Sequence, residues 1–202
     1  LGPADLHDWA RQIATAMAKI HTSEVLPELE SLPRSHIESL QKWMSAEKPP
    51  GRFAKHDLGV ELWNAMRKLW PNVDISERRI IHNDLWPGNM IWKADQLLAI
   101  VDWEWPSLGV PSDDVGYFLS DAAYTGYDIE DVFIETYEKG SGKPVTDLLF
   151  WKMMASAIPL PDVGPWAQGY AELGMRKMNA DEIRRSHSSH IKKLLKEFDS
   201  IA

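Results

Sequence analysis

Cysteine is absent from the 202-residue sequence, which excludes disulfide bonds and thiolate metal sites within this chain. The absence fits a reducing compartment, and we expect a cytoplasmic protein. No apolar run approaches the roughly 20 residues that a membrane helix needs, so no membrane partner is expected. A dense stripe of Lys and Arg is also lacking, and the formal net charge is −8, which argues against a nucleic-acid partner.

Hydrophobic residues, in contrast, are plentiful. They make up 44% of the chain and include ten tryptophans, enough to bury a core. A chain of this length forms one large domain or one lobe of a larger protein. Apolar residues recur every three to four positions in several segments, which predicts α-helices. These segments are 5–20, 35–44 (with a capping box of Ser35 and Glu38), 58–69, 113–120, 129–138, 146–158, 166–173 and 181–198.

Three short apolar runs interrupt the helical pattern in the middle of the chain. They lie at residues 79–81, 90–92 and 97–101, and residues 93–96 are typical of a turn. Runs this short are strands rather than helices, so residues 90–101 are predicted to form a small β-hairpin. The predicted fold class is α+β, mostly α-helical, with one hairpin inserted between helices.

Polar side chains flank this predicted hairpin. The stretch His82-Asn83-Asp84-Leu85-Trp86-Pro87-Gly88-Asn89 leads into its first strand, and Asp102 follows its second strand. Because the residues that enter and leave a hairpin lie at the same end, Asn89 and Asp102 are expected to share one hard cation such as Mg²⁺. Asp84 is then placed to accept or orient the proton of an attacking hydroxyl, as kinase-type phosphoryl transfer requires.

This region resembles the aminoglycoside phosphotransferase/choline kinase family, small-molecule kinases related in fold to protein kinases. The family's His-x-Asp with Asn five residues later matches His82, Asp84 and Asn89, and its metal-binding aspartate after the next strand matches Asp102. The resemblance implies that Asp84 is the catalytic base and that Asn89 and Asp102 hold Mg²⁺. It also implies ATP as the phosphate donor, and hence a nucleotide and a small-molecule acceptor as partners.

The resemblance continues downstream and covers most of the chain. The family pattern Gly-x-Pro-x-x-Asp matches Gly109, Pro111 and Asp114. By resemblance, His82 and Asp114 brace the catalytic loop without contacting the substrate. One departure is Asn83, which stands where these kinases often have glycine but touches no proposed ligand.

A second departure concerns the nucleotide-binding parts of these kinases. The sequence has no glycine-rich strand–turn–strand and no strand lysine paired with a helical glutamate, the parts that cradle the ATP phosphates. We therefore expect residues 1–202 to form the C-terminal lobe, which binds substrate and carries the catalytic residues. The N-terminal ATP-binding lobe is expected to be absent from this chain, and activity is expected only when that lobe is present.

The segment after the second predicted strand has two interpretations. In one, Trp103, Glu104 and Trp105 line the acceptor site, with Glu104 facing an amine and an indole facing a cation. In the other, one tryptophan packs in the core and Glu104 is solvated. Acidic residues near the site, such as Asp121 and Asp128, favour a cationic acceptor.

The predicted function is ATP- and Mg²⁺-dependent transfer of the γ-phosphate to a hydroxyl of a small molecule, an aminoglycoside or another cationic acceptor. The alternative is a catalytically inactive kinase-like module that binds a ligand or a partner, although the retained Asp84, Asn89 and Asp102 argue against it. A protein kinase is disfavoured, because no Ala-Pro-Glu follows the Asp102 strand. His187 and His190 are interpreted as surface residues, since two histidines without a carboxylate make a poor zinc site.

Overall fold

Short strands occupy the middle of the chain, with helices before and after them. The computed structural model describes residues 3–34, 37–175 and 177–201. The helices are α1 Pro3–Thr22, α2 Ile37–Ser45, α3 Gly51–Ala54, α4 Gly59–Leu69, α5 Pro111–Tyr124, α6 Glu130–Ser141, α7 Leu148–Ala157, α8 Ala167–Glu172 and α9 Ala180–Ile201. The strands are β1 Arg79–Ile81, β2 Met90–Lys93, β3 Gln96–Ile100 and β4 Ser107–Gly109. The α+β, mostly helical fold class is confirmed.

The strands form two antiparallel pairs. β2 and β3 form the predicted hairpin, in which Met90 lies opposite Ile100. β1 pairs with β4, and Ile80 lies opposite Leu108. This second pair was not predicted, because the Ser-Leu-Gly sequence of β4 has neither the length nor the alternation that marks a strand. It joins the two ends of the segment that contains the hairpin.

Two main apolar clusters form the core. One lies among α2, α4, α7 and α9 and includes Leu62 and Trp151, and the other lies among α1, α5 and α6 and includes Ile13 and Phe118. Leu85, on the loop after β1, is buried in the second cluster. The core therefore anchors the loop that carries the polar motif.

Helix α5 connects the strands to the core. It begins directly after β4 at Pro111, where the missing N–H is harmless because first-turn amides have no partner within the helix. It then packs closely on α7, since a Cβ at Gly116 would lie only 2.7 Å from the carbonyl carbon of Trp151. The first turn of α5 is thereby held beside the loop after β1.

The predicted helices are present, with ends shifted by a few residues. Ser35 of the predicted capping box lies outside the described residues. The prediction that His187 and His190 are surface residues was wrong, because both lie on the face of α9 that packs inward and their rings contact Tyr124. Among the described helices, none combines the length and apolar character that crossing a bilayer demands.

Candidate active site

The loop between β1 and β2 carries the central residues of the candidate site. It leaves β1 with Asn83 in the left-handed backbone region, at a φ of 66°, and ends in the 3₁₀ turn Pro87–Asn89. After glycine, asparagine adopts that conformation most readily, which accounts for Asn83 at this position. Its side-chain amide also donates to the Ser107 hydroxyl (2.7 Å), which ties the loop to β4.

Asp84 projects from this loop with both carboxylate oxygens engaged. Asn89 Nδ2 donates to Oδ2 of Asp84 at 3.1 Å and to its backbone carbonyl oxygen at 2.8 Å. The hydroxyl of Tyr117, on α5, donates to Oδ1 at 3.0 Å. Burial, together with the charge of Asp84, raises the pKa of Tyr117, so that the phenol stays a donor. The carboxylate is therefore oriented and remains half-exposed, as a group that accepts a proton must be.

His82 is buried beneath the same loop. Its Nε2 donates to the carbonyl oxygen of Val101 at 2.9 Å, and its Nδ1 accepts from the backbone N–H of Asp84 at 3.3 Å. The Trp103 indole covers the imidazole, with 4.5 Å between ring centroids. One nitrogen of His82 therefore bonds the residue after β3 and the other bonds the loop itself, so the imidazole links the two.

Asp114, in the first turn of α5, holds the start of the loop through its backbone. Its two oxygens accept from the N–H groups of His82 (2.7 Å) and Asn83 (2.8 Å), and Oδ2 also contacts His21 Nε2 at 3.2 Å. Burial acts to raise the pKa of Asp114, but the contact with His21 and the two N–H donors hold it below its ordinary value. Asp114 is therefore an ionised anchor that faces the backbone.

Asn89 and Asp102 lie at the same end of the hairpin. The backbone N–H of Val101 donates to the carbonyl oxygen of Asn89 at 2.9 Å, directly beside the Met90–Ile100 pair. Because Asn89 Nδ2 is used by Asp84, its Oδ1 is the atom left for a ligand. The Asp102 carboxylate is exposed and has no hydrogen bond or ion pair with the described part of the chain. Two such oxygen donors fit Mg²⁺.

The Trp-Glu-Trp segment faces a wide outer cleft. Trp103, Glu104 and Trp105 line this cleft of about 760 Å³ together with Asp84 and Tyr117. Trp105 is 68% exposed and Trp103 38% exposed, so neither tryptophan packs in the core. All three residues therefore border this cleft and lie outside the apolar core.

A smaller inner cavity, of about 230 Å³, adjoins the outer cleft. The two spaces share Asp84, Tyr117 and Trp166 as lining residues, and the inner cavity adds Trp86, Asp121, Gly169 and Tyr170. Asp84 therefore stands where the two meet.

Asp121 is the buried acid of the inner cavity. It is 2% exposed and accepts a hydrogen bond from the Tyr170 hydroxyl. Burial, reinforced by the charge of Asp84, raises the pKa of Asp121 to about 7 despite that bond. Asp128, the other acid expected near the site, lines a different surface depression with Arg185 and Lys193.

Sequence reasoning did not identify Tyr117, Trp166 and Tyr170 as site residues. A signal for Tyr117 existed, because Asp114, Tyr117 and Asp121 follow one another at spacings of three and four, which places polar groups on one face of a helix. Trp166 lies in the 3₁₀ turn Gly164–Trp166, and Tyr170 lies in α8. No local pattern connects them to the loop between β1 and β2.

The described residues form a mostly helical fold in which a polar loop leads into a small hairpin. Residues 1–152 match the model of the phosphotransferase enzyme family, and the chain belongs to that family. The aminoglycoside phosphotransferase/choline kinase resemblance is thereby confirmed.

The individual relatives share only a modest sequence identity with this chain. The 4-hydroxytryptamine kinase of Psilocybe cyanescens is 29% identical over 94 residues, which cover 40% of this chain and 26% of that protein. The macrolide 2′-phosphotransferase of Brachybacterium faecium has a TM-score of 0.55 at 17% identity, over 90% of this chain and 59% of that one. The choline kinase of Streptococcus pneumoniae, solved with AMP, has a TM-score of 0.58 at 20% identity, over 94% of this chain and 62% of that one.

Proposed function

We propose that this chain is the catalytic and acceptor-binding lobe of an enzyme that transfers the γ-phosphate of ATP to a hydroxyl of a small molecule. The observation that carries the proposal is the convergence of Asp84, Asn89 and Asp102 around one end of the hairpin. Asn89 donates to Asp84 at 3.1 Å, and the residue before Asp102, Val101, donates its backbone N–H to the Asn89 carbonyl oxygen at 2.9 Å. Phosphoryl transfer needs a group that orients the nucleophile and oxygen ligands for the metal, and these residues supply both.

In this proposal each residue has a distinct task. Asp84 accepts or orients the proton of the acceptor hydroxyl, while Tyr117 and Asn89 hold its carboxylate in place. Asn89 and Asp102 hold Mg²⁺, and Mg²⁺-ATP supplies the phosphoryl group with its charge partly neutralised. His82 and Asp114 keep the loop rigid, because their hydrogen bonds reach its backbone.

A second lobe covers the nucleotide in the proposed enzyme. The hairpin exposes apolar side chains that a partner lobe would cover, with Ile91 at 48% and Leu98 at 54% exposed. Beside them lies a cleft of about 620 Å³ between α1 and β3. The chain spans only part of its relatives, about three fifths of the two solved proteins and about a quarter of the 4-hydroxytryptamine kinase. These observations support a nucleotide site between the hairpin and an N-terminal lobe outside these residues.

A cationic acceptor suits the charges of the site. Asp84 and Glu104 line the outer cleft, and no Lys or Arg is among the described residues that line it. Choline and 4-hydroxytryptamine, named in two of the related kinases, each combine a hydroxyl with a positively charged nitrogen at neutral pH. An aminoglycoside arm would meet the same requirement.

The role of Asp84 is tested by Asp84→Ala in the complete natural protein. With an acceptor that the natural protein phosphorylates, the turnover rate is expected to fall by about 10²–10⁴, the range for a positioned proton acceptor. Asp95→Ala, on the exposed hairpin turn, is the matched control and should keep normal turnover. Equal turnover in the two variants would remove Asp84 from the mechanism.

A nucleotide titration distinguishes the enzyme from an inactive binding module. Calorimetry with ATP is expected to show binding that depends on Mg²⁺, because Asn89 and Asp102 contact the nucleotide through the metal. Nucleotide binding that ignores Mg²⁺, or no binding at all, would favour the inactive module.

A further inference from the structure

A chain of buried polar side chains runs beneath the candidate active site. It begins at Tyr137 on α6, continues through His21 at the end of α1, and reaches Asp114 in the first turn of α5. The three residues are between 2% and 4% exposed. None of the described residues of α6 lines the outer cleft or the inner cavity. Tyr137 is therefore remote from any bound substrate but connected to the site through hydrogen bonds.

The distances in this chain are those of direct hydrogen bonds. The Tyr137 hydroxyl lies 2.7 Å from Nδ1 of His21, and Nε2 of the same ring lies 3.2 Å from Oδ2 of Asp114. The two oxygens of Asp114 accept from the backbone N–H groups of the two residues before Asp84, at 2.7 and 2.8 Å. Successive hydrogen bonds thus join the Tyr137 hydroxyl to the backbone that carries Asp84.

The proton positions follow from the carboxylate at the end of the chain. An ionised carboxylate only accepts hydrogen bonds, so we assign a proton to Nε2 of His21, which donates to Asp114. In the neutral imidazole Nδ1 is then an acceptor, and the Tyr137 hydroxyl donates to it. Burial, with the charges of Asp114 and Glu77, raises the pKa of Tyr137 and keeps the phenol protonated. The phenol therefore fixes the tautomer and the orientation of the His21 ring.

Close packing of α6 on α1 holds the two rings in contact. The rings of His21 and Tyr137 meet edge to face, with 5.7 Å between their centroids. Gly140 permits this approach of the helices, because a Cβ there would lie 2.9 Å from the Cβ of Ala18. Phe133, one turn earlier on α6, stacks on the Tyr137 ring at 6.4 Å. The phenol is therefore fixed on α6 and directed at Nδ1.

We propose that Tyr137 is a positioning residue, which acts through His21 and Asp114 to hold the loop that carries Asp84. The inference rests on the proposed function, because that function gives Asp84 its task. Without the phenol, Nδ1 of His21 is a buried acceptor that has lost its donor, which is unfavourable. Turning the ring or moving its proton to Nδ1 relieves this cost, and either change weakens the bond to Asp114. Asp84 then departs from the geometry that a positioned proton acceptor needs.

Amide hydrogen exchange tests the hold on the loop without any substrate. In the complete natural protein, Tyr137→Phe is expected to make the peptide with His82 and Asn83 exchange about threefold to tenfold faster. Tyr124→Phe is the matched control, because it removes a similarly buried phenol that donates to Ser156 at 3.1 Å, at the other end of α5. Its loop exchange should stay normal. Equal loop exchange in the two variants would overturn the proposal.

The imidazole of His21 gives a signature that a general loss of stability would not produce. Nitrogen-15 NMR of histidine-labelled protein is expected to show a protonated Nε2 and an Nδ1 that accepts a hydrogen bond, with the signals assigned by their loss in His21→Gln. Tyr137→Phe should move the Nδ1 signal away from that position, and Tyr124→Phe should not. An unchanged His21 spectrum in Tyr137→Phe would show that the phenol does not set the tautomer, and the proposal would fail.

Steady-state kinetics test the consequence for the reaction. With an acceptor that the natural protein phosphorylates, Tyr137→Phe is expected to lower kcat about threefold to tenfold and leave the KM values for ATP and acceptor unchanged. The reason is that α6 borders neither cavity, whereas Asp84 acts on the reacting hydroxyl. Tyr124→Phe should keep the natural kcat. Faster loop exchange with an unchanged kcat would limit Tyr137 to a structural role and overturn the proposal.

The results also separate this inference from the proposed function. If Asp84→Ala abolishes turnover while Tyr137→Phe changes neither loop exchange nor kcat, the phosphotransferase proposal stands and the role of Tyr137 falls. If loop exchange depends on Tyr137 but Asp84→Ala retains turnover, the hydrogen-bonded chain stands and the assigned chemistry falls.

Discussion

Asp84 and Asp121 line the same inner cavity but differ in exposure and in the number of hydrogen bonds they accept. Asp84 is half-exposed and accepts hydrogen bonds from Asn89 and Tyr117. Asp121 is buried with one donor, and burial brings its pKa to about 7. In the proposed enzyme the first acid acts on the reacting hydroxyl.

Asp102 offers a residue-scale test of the proposed metal site. Its backbone is in the left-handed region, at a φ of 65°, which asparagine also tolerates. Asp102→Asn should therefore fold normally but lose one negative ligand, and the Mg²⁺ concentration for half-maximal turnover is expected to rise about tenfold or more. The measurement is a Mg²⁺ titration of activity, accompanied by a thermal melt. An unchanged Mg²⁺ requirement would argue against Asp102 as a ligand.

At the scale of elements, helix α5 contributes three polar side chains to the candidate site. Asp114, Tyr117 and Asp121 follow at spacings of three and four residues on this helix, and they reach the loop backbone, the Asp84 carboxylate and the inner cavity respectively. The position of α5 depends on α7, against which it packs at Gly116.

This close packing predicts a large effect for a single methyl group. Gly116→Ala would place a Cβ 2.7 Å from the carbonyl carbon of Trp151, and overpacking of this kind typically destabilises a protein by about 1–3 kcal/mol. The higher helix propensity of alanine offsets up to about 1 kcal/mol of this. Gly51→Ala is the control, because nothing lies within 4 Å of its Cβ position. Urea denaturation should show a lower midpoint for Gly116→Ala alone.

At the scale of the whole molecule, buried titratable groups link stability to pH. Burial lowers the pKa of His187 to about 4, and burial with the charge of Lys152 lowers that of His190 to about 3. Unfolded histidines titrate near 6.5, so the unfolded chain binds more protons as the pH falls below that value, and stability is lost. Asp121 acts in the opposite direction, because its raised pKa lets the folded state bind a proton between about pH 7 and pH 4.

The variant Asp121→Asn separates the effect of the two histidines on stability from the effect of Asp121. Between about pH 7.5 and pH 5, the histidines together should reduce the free energy of unfolding by about 4 kcal/mol, and Asp121 should restore about 2 kcal/mol. Urea titrations at both pH values are expected to show a decrease that is larger in Asp121→Asn than in the natural protein by about 2 kcal/mol. Equal decreases in the two proteins would show that Asp121 takes up no proton in this range.

The sequence was sufficient for most of the elements and for the family, because both depend on local information. Helical periodicity predicts α1 and α9, and short apolar runs on either side of a turn predict the hairpin. The contiguous His82–Asn89 motif with Asp102 carries the family resemblance. Local pattern was insufficient for β4, whose three residues form a strand only because β1 lies opposite them.

Only the tertiary structure decided which distant residues share a space. Periodicity shows that residues lie on one face of a helix, but the partner of that face is determined by packing, which is why His187 and His190 proved to be buried. Sequence patterns also do not reveal the inner cavity, which is lined by Trp86, Asp121 and Tyr170 from three separate segments. Contacts between residues so far apart arise from the packed arrangement of the helices, and a linear pattern does not encode them.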